Sequence, residues 1–378
     1  MLIHRTIEDL IKKHLFKGQV AILYGARQVG KTTLVKKILQ DYSAKKVKYI
    51  NCDEGDYRQI FNQAETSTQL KQLIGDANLI VLDEAQRIEE IGLKLKLLVD
   101  TFPDQQVIAT GSSSFDLGQS IIEPLTGRAI EFWLYPFSVN ELSVGFDALE
   151  LKRRLESFLI YGAYPRVILS ASLEDKQLVV KEIAENYLYK DILKFENIKG
   201  VGIIRKLLEA LALQVGNEVS YTEIASLIGI SKETVARYVE ILEKAFIVFT
   251  LRPFSRNLRK EIGKLRKIYF WDLGIRNSLI NNFNSLSLRN DVGVMWENFI
   301  IAEIAKKRVD IGKQMPLYFW RTYDGQEIDL VIEKSGKLFA YEIKWQKARL
   351  RPPMAWQKGY PLAEWQAINQ ENYLKFVS

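Results

Sequence analysis

The chain has 378 residues, 47% of them hydrophobic and 26% charged, with 53 Lys and Arg against 46 Asp and Glu for a formal charge of +7. That size leaves room for two or three domains with ordinary soluble cores. No apolar run reaches membrane-spanning length, the charged stretch Met1 to Leu10 does not read as a secretory signal, and the single cysteine, Cys52, rules out an intrachain disulfide or a cysteine zinc site. The expected setting is a reducing cytoplasm with no membrane partner.

The first element is a short β-rich run, Val20 to Tyr24, followed by a helical pattern with Leu34, Val35, Ile38 and Leu39 on one face. Between them lies Gly25-Ala26-Arg27-Gln28-Val29-Gly30-Lys31-Thr32, with Thr33 next. Two glycines five residues apart, then Lys and Thr, between a strand and a helix, match the P-loop in spacing and context. Glycine lets successive backbone N–H groups converge on one anion, and the helix N-terminus adds partial positive charge. Lys31 is expected to neutralise the β- and γ-phosphates of ATP, and the Thr32 hydroxyl to take a place on Mg2+.

Apolar runs recur at Val47–Ile50, Leu79–Leu82 and Val107–Ala109, and Ile130–Leu134 alternates, with helical stretches between several of them. This alternation predicts an α/β fold, a parallel sheet flanked by helices, ending near residue 145. Leu79-Ile-Val-Leu-Asp83-Glu84 places two carboxylates at the C-terminal tip of a buried strand, where a parallel sheet meets its ligand. Asp83 is expected to hold Mg2+ through water, and Glu84 to orient or deprotonate the attacking water. After the next strand, Thr110 and Ser112 are both candidates to sense the γ-phosphate, and the spacing does not choose between them. Gly127-Arg128 offers an arginine to a nucleotide in cis or across a subunit boundary of a homo-oligomer, with a structural ion pair as the competing reading.

Residues 146–200 read mostly as helix, interrupted at Tyr161-Gly-Ala-Tyr-Pro165, and are expected to form a helical lid or linker. Ser220 with Glu223 then offers a capping box for a short helix ending at Gly229. Ser231 caps a second helix with Val235, Val239 and Leu242 on one face. Helix, glycine turn and helix, flanked by β-rich Phe246–Leu251 and Ile268–Trp271, predict a winged helix-turn-helix over 201–272. Thr234, Arg237 and Tyr238 are its candidate base contacts. Between the wing strands, Arg252, Arg256, Arg259, Lys260, Lys264, Arg266 and Lys267 face one acid, Glu261, an excess suited to DNA phosphates.

The P-loop, Asp83-Glu-Ala-Gln86, Thr110-Gly-Ser-Ser, Gly127-Arg128, Trp271-Asp-Leu-Gly274 and Trp296-Glu-Asn-Phe299 together resemble the AAA-type ATPases of bacteria and archaea that carry an uncharacterised C-terminal domain. The resemblance covers most of the chain. It implies ATP hydrolysis by an ATPase of the additional-strand class, with a nuclease-like tail.

In the last part, 273–378, a helix precedes a β-hairpin turning at Ser335-Gly336. With that turn, Ile328 opposes Ile343, Leu330 opposes Tyr341 and Ile332 opposes Phe339, which makes one face apolar. On the other face Asp329 opposes Glu342 and Glu327 opposes Lys344. Directly opposed carboxylates repel, and a bound cation would relieve them. Asp followed by Glu-x-Lys on the next strand is similar to the core of the PD-(D/E)-x-K nucleases. That similarity implies Mg2+ held by Asp329 and Glu342, with Glu297 as the helix carboxylate, Glu303 as its substitute, and Lys344 positioning the water or the phosphate. A solvated hairpin face with a Glu327–Lys344 salt bridge is the competing reading. Two functions follow: an ATP-hydrolysing protein that presents DNA to a metal-dependent nuclease-like domain, or an ATP-gated regulator or scaffold that binds DNA or protein without cutting.

Overall fold

The computed structural model describes residues 3–111, 124–185, 200–255, 266–310 and 316–378. Ser112 and the basic residues Arg256, Arg259, Lys260 and Lys264 lie outside them. The chain divides into two compact units, one formed by Leu2–Tyr135 with Lys244–Phe246, the other by Pro136–Glu243 and Ile247–Ser378. Among the described residues no helix is long and apolar enough to cross a membrane.

The first unit is an α/β layer structure. Its strands are β1 (Val20–Gly25), β2 (Val47–Asn51), β3 (Leu79–Asp83), β4 (Gln106–Gly111) and β5 (Ala129–Leu134). They lie in the order β2-β3-β4-β1-β5, every neighbouring pair parallel. β1, β3 and β4 are buried along their whole length. That is why these segments read as unbroken apolar runs: helices cover both faces of a parallel sheet. The helices at 31–41 and 91–101 turn Leu34, Val35 and Ile38, and Leu95 and Leu98, into the core. β4 is the additional strand, lying between the P-loop strand β1 and the acidic strand β3. The C-terminal ends of β1, β3 and β4 therefore sit side by side.

The second unit holds a seven-stranded sheet of β6 (Glu218–Val219), β7 (Val248–Pro253), β8 (Arg266–Phe270), β9 (Leu317–Arg321), β10 (Glu327–Lys334), β11 (Lys337–Ile343) and β12 (Glu364–Ile368). Its order is β12-β11-β10-β9-β7-β8-β6. β7 and β8 pair antiparallel as a wing does, and β6 pairs with β8. Yet β7 also runs parallel to β9, with Arg252 beside Tyr318 and Pro253 beside Phe319. The wing and the C-terminal hairpin thus share one sheet, and the boundary expected at 272 is not one. The helices at 148–161, 165–169 and 173–183, expected as a separate lid, belong to this same unit. By contacts, the first compact unit ends at Tyr135. The turn that follows is held by its own unit: the Val139 amide donates to the Glu303 carboxylate at 2.6 Å.

Within this unit the helix-turn-helix forms as its caps dictate. Ser220 accepts from the Glu223 amide and Ser231 from the Thr234 amide, with Gly229 left-handed between the helices at 221–228 and 232–244. Ile224, Val235, Val239 and Leu242 are buried. So is Tyr238, at 0% exposure. It lies on the packed face of its helix and is not a base contact; Arg237 is exposed and Thr234 partly so.

The hairpin takes the expected register, with Leu330 opposite Tyr341 and Ile332 opposite Phe339. Ser335 and Gly336 both have positive φ, as a two-residue hairpin turn with right-handed strand twist requires. Ile328, Val331, Leu338 and Ala340 from the hairpin pack with Phe254, Trp320 and Trp356 in a small core.

Candidate functional site

The P-loop leaves β1 where only glycine fits. A Cβ on Gly25 would lie 2.3 Å from the Leu134 carbonyl oxygen of the neighbouring strand. Gln28 and Gly30 take left-handed backbone angles, φ 61° and 99°, which wrap the loop back towards the helix that starts at Lys31. No side chain caps that helix at Gly30, so its first amides keep the orientation in which P-loops meet phosphate. Lys31 is buried and folds over the loop, donating to the Gly25 and Ala26 carbonyls at 2.9 and 3.1 Å.

Asp83 is the hub beneath the loop. Its Oδ2 accepts from the Thr32 hydroxyl at 2.7 Å and from the Tyr49 hydroxyl at 2.5 Å, and its Oδ1 accepts from the Thr110 hydroxyl. Burial, with Asp83 beside it, raises the Tyr49 hydroxyl above the ordinary tyrosine value, so it stays a donor. Thr110 also accepts from the Glu84 amide at 3.1 Å and has 0% exposure. Of the two γ-phosphate candidates, Thr110 is thus committed to ordering the acidic pair. Glu84 itself is left-handed, φ 56°, and its carboxylate accepts from Gln86 at 2.6 Å. Cys52, whose amide donates to the Asp83 carbonyl at 2.9 Å, is buried, and that burial pushes its thiol up to about 12. Tyr49 lies in no motif and enters through the geometry alone, whereas Gln86 closes the Asp83-Glu-Ala-Gln86 motif.

Arg128 is elsewhere. It precedes Ala129, which pairs with Val20 at the start of β1, whereas the P-loop follows Gly25 at that strand's far end. The six residues between span about 20 Å of parallel strand. Arg128 therefore does not reach a phosphate in its own P-loop, so it does not serve a nucleotide in cis. Its guanidinium pairs with Asp100 at 2.6 Å, the structural ion pair that competed with it.

In the second unit, Glu297, Asp329, Glu342 and Lys344 do come together. Lys344 Nζ lies 2.7 Å from Glu342 and 3.5 Å from Asp329, whose Oδ2 also accepts from the Ile343 amide at 2.7 Å. Glu297 accepts from the Tyr269 hydroxyl at 2.6 Å and pairs with Lys267 at 3.2 Å. Lys267 also pairs with Glu327, which thus turns to β8 and not to Lys344. Burial pushes the Glu297 carboxyl up to about 7, against the pull of the Lys267 ammonium and with the push of Asp329. Burial, reinforced by Asp329, also raises Glu342. Burial opposes the charge on Lys267, but Glu297 and Glu327 outweigh it and hold its pKa above the ordinary lysine value. Among the described residues no three His, Cys, Asp or Glu are placed to hold a metal ion. The Mg2+ site expected at Glu297, Asp329 and Glu342 does not fit this arrangement, because the buried Lys267 ammonium already pairs with Glu297. Glu303, the substitute, is engaged with Val139 and Lys306.

The downstream tryptophan motifs are structural. Asp272 accepts from the Ala163 and Ile275 amides, and burial raises its pKa. Asn298 exchanges two hydrogen bonds of 2.8 Å with the Phe270 backbone.

Residues 17–143 match a family described as AAA domain, and residues 152–286 and 292–354 match two domains of unknown function. An uncharacterized protein of Mycobacterium tuberculosis is 29% identical over 339 residues, 88% of this chain and 72% of that one. One from Methanocaldococcus jannaschii is 26% identical over 323 residues, 80% of this chain and 70% of that one. Among solved structures, domain III of the Thermotoga maritima replication initiation protein DnaA aligns at 14% identity, over 62% of this chain and 88% of that one, with a TM-score of 0.28, too loose a superposition to carry an assignment. The sheet order, the loop geometry and the family match agree on one statement: residues 17–143 carry a P-loop on a parallel sheet and are similar to AAA domains.

Proposed function

We propose that the protein binds ATP with Mg2+ at the P-loop and hydrolyses it, and that this cycle gates a second unit that binds DNA without cutting it. The observation that carries the ATPase reading is the Asp83 carboxylate. It is buried under the loop and bonded to the Thr32 hydroxyl at 2.7 Å. A hydroxyl and a carboxylate at that spacing are hard oxygen donors, which suits Mg2+. When bound there, Mg2+ would neutralise charge on the β- and γ-phosphate oxygens.

The protein's own groups do the rest. Lys31 exchanges the Gly25 and Ala26 carbonyls for phosphate oxygens, and the loop amides hold the triphosphate in line. Glu84, set beside Asp83 by the Thr110 hydroxyl, takes the proton from the water that attacks the γ-phosphorus. The bond to the bridging oxygen breaks, and ADP and phosphate leave. Purified protein should release phosphate from ATP, and Lys31→Ala should abolish both nucleotide retention and release. A Lys31→Ala rate equal to the parent's would overturn the reading.

DNA as the partner is supported by the helix-turn-helix, its β-wing, and exposed Lys232, Arg237 and Arg252 on those elements. Phosphate contacts of this kind give affinity that falls steeply with salt. Fluorescence anisotropy with duplex DNA should show that fall, and a triple Lys232→Ala, Arg237→Ala, Arg252→Ala variant should bind weakly at all salt concentrations. Unaltered binding in that variant would remove DNA from the account. The non-cutting form is preferred because lysines neutralise the hairpin carboxylates.

A further inference from the structure

We propose that Lys267 is the resident cation of the acidic cluster, taking the place a divalent ion would need, and that with Lys344 it makes the cluster a buckle instead of a cleavage centre. The inference rests on the non-cutting reading of the second unit and deepens it. Lys267 and Tyr269 alternate along β8, so both side chains leave the same face of the strand. Both reach one oxygen: Glu297 Oε1 accepts from Tyr269 and from Lys267. A carboxylate oxygen has two lone pairs, and these two donors use them. Asp329 Oδ2 is filled in the same way, by the Ile343 amide and the Lys344 ammonium. One oxygen of each of these two carboxylates is therefore already filled by donors of the protein.

Charge points the same way. The Lys267 side chain is 3% exposed. A buried ammonium is stable only when paired, and this one has Glu297 and Glu327 from two different elements. The ion pairs join β8, the helix at 292–310 and β10. Together with the β7–β9 ladder they explain why wing and hairpin form one unit.

The test uses nucleotide-free protein, which separates it from the ATPase reading; phosphate release by the same preparations is measured apart. Thermal unfolding is followed in EDTA and with millimolar Mn2+, and Mn2+ binding is followed by electron paramagnetic resonance. The parent should show the same Tm in both conditions and no stoichiometric Mn2+. Lys267→Met should lose on the order of 10 °C in EDTA, from breaking a buried pair, and recover much of it with Mn2+, now the substitute cation. Lys267→Met with Glu297→Gln should recover without metal, and this double variant decides the matter if the single one does not fold. One equivalent of Mn2+ on the parent, lost in Asp329→Asn, would overturn the proposal. So would a Lys267→Met protein as stable as the parent, a loss that Mn2+ does not repair, or a double variant no better than the single.

Discussion

Tyr49 donates its hydroxyl to Asp83 Oδ2 at 2.5 Å, on the same oxygen that receives the Thr32 hydroxyl. The carboxylate is thereby fixed from β2 as well as from the P-loop helix, and Thr110 holds its other oxygen from β4. Three neighbouring elements set one rotamer.

Tyr49→Phe keeps the ring and removes that bond. A hydrogen bond to a charged group contributes about 1.5–3 kcal/mol, which is roughly a tenfold or larger change in an equilibrium constant. The variant should need about tenfold more Mg2+ for half-maximal ATP hydrolysis, with its Tm little changed. A Mg2+ titration of phosphate release checks this, and an unshifted curve would show that Tyr49 does not position Asp83.

Gly25→Ala tests the close approach of β1 and β5. The added carbon would meet the Leu134 carbonyl at 2.3 Å, a backbone atom that cannot rotate away. Overpacking of this kind costs about 1–3 kcal/mol. Denaturant unfolding should show that loss, and nucleotide affinity should fall with it, because the loop begins at this residue. A variant with parental stability would mean that the two strands separate at no cost.

Glu297 gives a pH signature. Its carboxyl is raised from an ordinary 4.5 to about 7 by burial. Between about pH 4.5 and about pH 7 the unfolded chain releases this proton while the folded protein keeps it, so its contribution to stability is full below that window and is lost as pH rises through it. Glu297→Gln should remove at most about 3 kcal/mol of this dependence. The gap between the unfolding midpoints of parent and variant should shift in favour of the variant as pH rises from about 5 to about 8. Parallel pH profiles would show that Glu297 ionises as an ordinary carboxylate.

Much of this was legible in the sequence because local chemistry encodes it. The three central strands β1, β3 and β4 appear as apolar runs since both faces of their sheet are covered. The hairpin register follows from Ser335-Gly336 and from the apolar Ile328, Leu330 and Ile332 at alternate positions. The position of Arg128 was also implicit, since a residue before a parallel strand lies at the end opposite the ligand crevice. The β7–β9 pairing was not legible, because nothing local tells Arg252 and Tyr318, 66 residues apart in the chain, that they will be neighbours. The same holds for Tyr49 and Lys267. Each is an ordinary residue within a strand, and its partner is fixed only when distant segments pack. Lys267 did leave one trace, a lysine at an alternating position beside apolar Ile268 and Tyr269, but a basic run around it masked the signal.

The central claim is that Glu84 carries the chemistry at a site built by Lys31, Thr32 and Asp83. Glu84→Gln separates chemistry from binding, because it keeps the shape and removes the base. Single-turnover phosphate release and equilibrium ATP binding should be measured on parent and variant side by side. ATP affinity should stay close to the parent's and the rate should fall by about 10²- to 10⁴-fold. A Glu84→Gln protein that releases phosphate at the parental rate would contradict it.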